Sequence, residues 1–128
     1  MNAKLGGVVM RVANALVYVP ATAAVKLAPM PQITRVPGGP EGLLGVALHE
    51  GEILPIVSIG PGRDFVLVCT HAGALLGIVG GHVEGTGMFE IDQNGSSVRW
   101  FGEIASPLDL ADVCAKLVTP SWGGSWTG

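Results

Sequence analysis

The chain is poor in cysteine, in aromatic residues and in charge. Its two cysteines, Cys69 and Cys114, lie far apart in sequence and make no disulfide framework. Only 13% of its 128 residues are charged, and its seven lysines and arginines form no basic cluster, which argues against nucleic-acid binding. No apolar run approaches the roughly 18 residues that a membrane span needs; Gly, Pro or a charge cuts each run after a few residues. Met1-Asn2-Ala3-Lys4 lacks the apolar block and cleavage site of a secretory signal, so a cytoplasmic location is expected. There is no Gly-Lys-Ser/Thr phosphate cradle, and Gly77 to Gly81 precedes no predicted helix.

What the chain has in plenty is small and aliphatic residues. Hydrophobic content is 48%, mean hydropathy is +0.51, and 20 glycines and nine prolines punctuate short runs of Val, Ile and Leu. That is the pattern of a small all-β protein whose strands are covered on both faces. The length suits a single domain, taken as residues 1–118, followed by a Gly/Trp tail over 119–128. Charge is uneven along the chain. The first forty residues hold Lys4, Arg11, Lys26 and Arg35 and no acid, while all ten acids follow. Such asymmetry either orients a partner or is cancelled when folding mixes the halves.

Hairpins are expected at Val8–Val12 with Ala15–Val19, and at Leu44–Leu48 with Glu52–Ile59 across Glu50-Gly51. Others are expected at Phe65–Thr70 with Leu75–Gly80, and at Met88–Asp92 with Val98–Ile104 across Asn94-Gly95. Pro55 inside the Glu52–Ile59 run points to an edge strand or a bulge. Pro20 to Leu27 reads as a short helix. A second helix is expected from Ser106 to Val118, with Ser106 as cap, Pro107 at the first position and Asp109 in the first turn. Its stripe would be Leu110, Val113, Cys114 and Leu117.

The stretch Ile33-Thr34-Arg35-Val36-Pro37-Gly38-Gly39-Pro40-Glu41-Gly42-Leu43-Leu44-Gly45-Val46, then Gly51-Glu52-Ile53-Leu54-Pro55-Ile56-Val57, resembles the centre of the CheW-like family. Leu16-Val17-Tyr18-Val19-Pro20 is similar to that family's second strand, and Gly77-Ile78-Val79-Gly80-Gly81-His82-Val83 to its Gly-Leu-Leu-Val-Asp-x-Val element. Each motif is weak by itself, but their order and spacing from Leu16 to Leu117 carry the resemblance. It implies a mainly β fold of two intertwined SH3-like five-stranded barrels with a short C-terminal helix and no active site or cofactor. It also implies two partners, the cytoplasmic tip of a methyl-accepting chemoreceptor and the regulatory domain of a CheA-type histidine kinase.

The resemblance implies two partner-binding surfaces, the hairpin tip Leu48, His49 and Glu50, and the segment carrying Ile33, Arg35, Val36 and Leu43. Three positions depart from the family pattern. Glu50 stands where the family has Arg, Ser58 where it has Asp, and Gly81 where the second half has Asp. A contact built to offer Arg to a carboxylate would present like charge here, so an accessory adaptor that binds receptor but not kinase is an alternative.

Two further constellations compete with this reading or extend it. Cys69 and His71 share a strand face and, with His49 or His82, would supply zinc-ligand types, or a thiol with a neighbouring base. The chain has neither Cys-x-x-Cys nor His-Glu-x-x-His spacing, so a small β-barrel metal protein or enzyme is the weaker reading. Trp122 and Trp126 in the tail are either anchors for a groove or packing for the protein's own core.

Overall fold

The computed structural model describes residues 3–39, 42–93 and 95–115. Leu117, the tail with Trp122 and Trp126, and Asn94 of the Asn94-Gly95 turn lie outside these residues.

Among the described residues, ten strands and one helix follow in chain order: β1 (Lys4–Val12), β2 (Ala15–Pro20), β3 (Ala24–Pro29), β4 (Leu43–His49), β5 (Glu52–Ser58), β6 (Phe65–His71), β7 (Ala74–Val79), β8 (His82–Glu90), β9 (Val98–Trp100), β10 (Glu103–Pro107) and α1 (Leu110–Ala115). They form two five-stranded sheets, ordered β8-β1-β2-β10-β9 and β3-β6-β7-β5-β4. The second sheet is inserted in sequence between β2 and β8 of the first, so the two are intertwined along one chain.

Each sheet is closed on itself by a single bridge. Thr34 pairs antiparallel with Val46, which joins the chain beyond β3 to β4, and Ile91 pairs with Val98, which joins the end of β8 to β9. Closure leaves few exposed strand edges. This is the expected pair of five-stranded barrels.

The barrels share one plan. Reading β4-β5-β7-β6-β3 against β9-β10-β2-β1-β8, the pairings are antiparallel, parallel, antiparallel and antiparallel in both. The registers coincide as well. The turn Glu50-Gly51 matches Phe101-Gly102, and all four residues have positive φ (49°, 83°, 45° and 80°). The parallel pair Ile56↔Gly77 matches Pro107↔Tyr18. An extra residue bulges from each equivalent strand, Val25 between Ala24 and Lys26 on β3, and Glu84 between Val83 and Gly85 on β8.

Strands apolar on both faces explain how two small barrels hold together. On β6, Val66 and Val68 point into one barrel with Leu54, Ile56 and Val79. Leu67 and Cys69 point the other way, into a core shared with Val8, Met10 and Val19 of β1 and β2. Leu16, Tyr18, Val9, Phe89 and Val98 fill the other barrel, where the Tyr18 hydroxyl donates a 2.7 Å hydrogen bond to the Gly6 carbonyl. Leu110 and Val113 of α1 belong to the shared core.

Four local expectations are corrected. Pro20 to Leu27 is not a helix: a turn over residues 21–23 leads into β3, because the run Ala24-Val25-Lys26-Leu27 gains a ladder with β6 that a short isolated helix would lack. The helix does not start at Ser106. Ser106 and Pro107 end β10 in a parallel pairing with β2, and Asp109 caps the helix instead, its Oδ1 accepting from Asp112 N at 3.0 Å. Val98–Ile104 is two strands rather than one, separated by the Phe101-Gly102 turn.

Pro55 lies neither on an edge strand nor at a bulge, since β5 sits between β7 and β4 and the β4 irregularity falls between Leu43 and Gly45. Val46 exchanges both backbone hydrogen bonds with Thr34, at 2.8 Å each. The Val46–Pro55 pair is therefore a non-hydrogen-bonded pair of the β4–β5 ladder. On its other side β5 begins pairing with β7 only at Ile56. The missing Pro N–H thus breaks no bond.

Candidate functional site

The β4–β5 hairpin projects a two-residue turn at which Glu50 and Gly51 both adopt positive φ, the conformation that matches the twist of paired strands. Non-hydrogen-bonded Leu48 and Ile53 face each other across the hairpin. They are 70% and 69% exposed, large apolar side chains left in water side by side. Isolated exposed leucines need no explanation, but a cross-strand apolar pair at the end of a barrel forms a patch.

Beside this pair lies a cleft of about 560 Å³ lined by Gln32, Thr34, Val46, Ala47, Leu48 and Ile53. Its far wall exists because the Thr34–Val46 bridge draws the chain after β3 alongside β4. The same bridge requires Gly45 (φ 155°): a Cβ there would lie 2.3 Å from the Thr34 carbonyl and 2.7 Å from Ile33 Cγ2. Glu50 carries the charge of the tip and has a neighbour on either side. Glu50 Oε1 lies 3.8 Å from Lys26 Nζ of β3, and Glu50 Oε2 lies 3.7 Å from His49 Nε2. The Lys26 contact is solvent-exposed and sets the local field more than the stability.

The structure joins the two sequence-derived surfaces only in part. Leu48, His49 and Glu50 are at the tip, with His49 half-buried. Ile33 is half-buried and packs against the interior of its own barrel. Arg35 is exposed and has no ion pair among the described residues. Val36 and Leu43 are half-buried; the Val36 carbonyl accepts from Gly39 N at 3.3 Å in a turn, and Leu43 opens β4. Between the two groups lie Gln32 and Thr34, which line the cleft.

Ile53 escaped sequence reading. The run Ile53-Leu54-Pro55-Ile56-Val57 is apolar on both parities, so it gives no sign that Ile53 points out while Leu54 (2% exposed) points in. The other barrel's hairpin tip was missed too: Phe101 is 87% exposed, stacked edge-on against Trp100 at 4.6 Å, with Ile104 at 46%.

The thiol at Cys69 is built differently. It is fully buried, its Sγ is 3.8 Å from the Leu67 carbonyl, and burial pushes its pKa up to about 12. A thiol held protonated in a dry core is not poised as a nucleophile or as a metal ligand. His71 stands at the half-exposed end of β6. Among the described residues no three His, Cys, Asp or Glu side chains gather at metal-binding distance.

A family model described as the CheW-like domain matches residues 6–97, which holds all of one barrel and β2, β8 and most of β1 of the other. The chain belongs to the CheW-like domain family. Among solved structures, this CheW-like chain is similar to the scaffolding protein TtCheW from Thermoanaerobacter tengcongensis. The two are 18% identical, 86% of each chain is covered, and the TM-score is 0.66. That likeness is one of fold. No curated protein matches the chain. The CheW-like match ends at residue 97, so β9, β10 and α1 lie beyond it.

Proposed function

We propose that this protein is a non-enzymatic cytoplasmic adaptor of a bacterial chemosensory pathway. In this reading it joins the cytoplasmic tip of a chemoreceptor to the regulatory domain of a CheA-type histidine kinase through protein contacts alone. The observation that carries it is the exposed Leu48–Ile53 pair at the end of a barrel, beside a cleft, in a member of the CheW-like family. Apolar residues at the centre of a contact and charges at its rim are the usual anatomy of a protein interface. Here Leu48 and Ile53 are the centre, and Lys26, His49, Glu50 and Glu52 are the rim. The segment carrying Ile33, Arg35, Val36 and Leu43 supports the wall of the cleft and offers the exposed Arg35, which has no ion pair among the described residues, to an acidic partner group.

A second reading rests on Glu50, an acid at the tip where the family carries arginine. In it the protein keeps the receptor contact and has lost the kinase contact, serving as an accessory adaptor. Co-purification with receptor tips and with the kinase regulatory domain, each supplied separately, tests both. Binding to both establishes a coupler, binding to receptor alone an accessory adaptor, and binding to neither sinks the proposal. Glu50→Arg discriminates further. It reverses the charge beside Lys26 at a rim position, so it changes the association rate and salt dependence more than the fold. A gain of kinase binding supports lost coupling, and unchanged binding refutes it.

A further inference from the structure

We propose that the C-terminal tail of this same chain, anchored by Trp122 and Trp126, docks on the Leu48–Ile53 face and competes there with the partner; the competition, though not the docking, rests on the adaptor reading above.

Three observations single out this occupant. The first is the continuity of the surface. Along β5, Ile53, Pro55 and Val57 share one face because side chains alternate. Val57 is 5% exposed and belongs to the shared core that also holds Leu110 and Val113 of α1. The apolar stripe therefore starts in the core that seats the helix and emerges into water at Ile53. The second is reach. Trp122 follows Ala115, the last residue of α1, by seven positions, which extended chain stretches to at most about 25 Å. Ile53 lies four residues along β5 from Val57, about 13 Å.

The third is chemistry. Trp122 and Trp126 are separated by Gly123, Gly124 and Ser125, so in extended chain both indoles fall on one face with no bulky residue between them. An indole pairs a large apolar body with one N–H donor that needs an acceptor when buried. The cleft offers both. Leu48 and Ile53 supply apolar wall, and Gln32 and Thr34 supply oxygens. Leu48, two residues on from Val46, also turns its backbone carbonyl to the cleft side, where no backbone hydrogen bond joins it to Gln32. The equivalent hairpin end of the other barrel has Arg99 in the place of Leu48, so it lacks the matching apolar pair.

The test compares amide NMR spectra of the full chain with those of a Trp122→Ala/Trp126→Ala variant, across a wide range of protein concentration and with no partner present. Docking within one chain predicts shift changes centred on Gln32, Thr34, Leu48 and Ile53 that do not depend on concentration, and acrylamide quenching of the tail indoles that rises in an Ile53→Asp variant. Changes that grow with concentration would assign the face to a second copy and overturn the proposal, as would changes centred on Phe101 and Ile104, or none. Competition predicts that the double Trp variant binds the receptor tip or kinase domain about tenfold more tightly if the tail covers the face about nine-tenths of the time. Equal affinity of both forms overturns the competition. If neither form binds a partner, the adaptor reading fails while the NMR result still decides the docking.

Discussion

Replacing Ile53 by aspartate separates a binding role from a structural one. The side chain is 69% exposed, so folding buries about a third of it. On the usual scale of roughly 1.5–3 kcal/mol for complete burial of such a side chain, that third contributes under about 1 kcal/mol. Asp in place of Ile on a strand costs up to about 1 kcal/mol more in intrinsic preference. The expected loss of stability is about 1–2 kcal/mol, a drop of roughly 4–7 °C in Tm for a domain of this size. Binding is affected more. A partner that covers the face buries the remaining two thirds of Ile53, about 1–2 kcal/mol, and the variant must also desolvate an unpaired carboxylate at a further 2 kcal/mol or more, roughly. Affinity should fall by about a hundredfold or more. Calorimetric titration with the receptor tip and with the kinase regulatory domain, alongside thermal melts, gives both quantities, and Ile53→Leu should retain most of the affinity. Unchanged affinity in a folded Ile53→Asp protein would refute the assignment of this face. A collapse of Tm would show instead that Ile53 belongs to the core.

Two further outcomes follow from the cores. Leu67 is fully buried between the barrels, so Leu67→Ala should cost about 2–5 kcal/mol, and chemical denaturation should show both barrels failing in one transition; separate transitions would contradict a shared core. The Cys69 thiol is pushed from an ordinary 9.0 to about 12 by burial, so above pH 9 the unfolded chain loses this proton while the folded chain keeps it. Stability should fall as pH rises from about 9 towards 12 and be unaffected by this group below 9. Cys69→Ala should flatten that part of the profile, and identical profiles for the two proteins would show that the thiol ionises in the folded state.

Legibility in the sequence followed the physical source of each signal. Phe65-Val66-Leu67-Val68-Cys69, apolar on both parities, foretold a strand covered on both faces, and the structure divides those faces between two cores. Turns with a glycine at the second position, Glu50-Gly51 and Ala72-Gly73, were readable because that glycine must take positive φ. Phe101-Gly102 obeys the same rule but hides behind Trp100 and Phe101, whose strand preference outweighs a single glycine cue. The start of the helix was misplaced because Ser106-Pro107 is a sound capping pair locally, and only pairing with β2, 89 residues away in sequence, overrides it. Ile53, one of the apolar pair at the candidate site, was missed for a related reason. Whether Ile53 or Leu54 faces water depends on the register with β4 and on which side of β5 the barrel closes, and neither is encoded within five residues.

The common register of the two barrels shows where this fold is free to vary. Equivalent core positions stay apolar: Val68 corresponds to Val9 and Cys69 to Met10, all at most 1% exposed. At the hairpin tips, Ile53 corresponds to Ile104, and both are exposed. Around them the chemistry diverges, with Leu48 against Arg99, His49 against Trp100 and Glu50 against Phe101. Close packing leaves a core little room for substitution, whereas a turn that requires only positive φ at two residues accepts many side chains outward. If the protein serves as the proposed adaptor, two ends with one backbone and different surfaces suit two unlike partners, since specificity is a difference of affinities set by side chains at the contact. On that logic, exchanging Glu50 and Phe101 between the tips should leave folding nearly intact while altering which partner each end accepts.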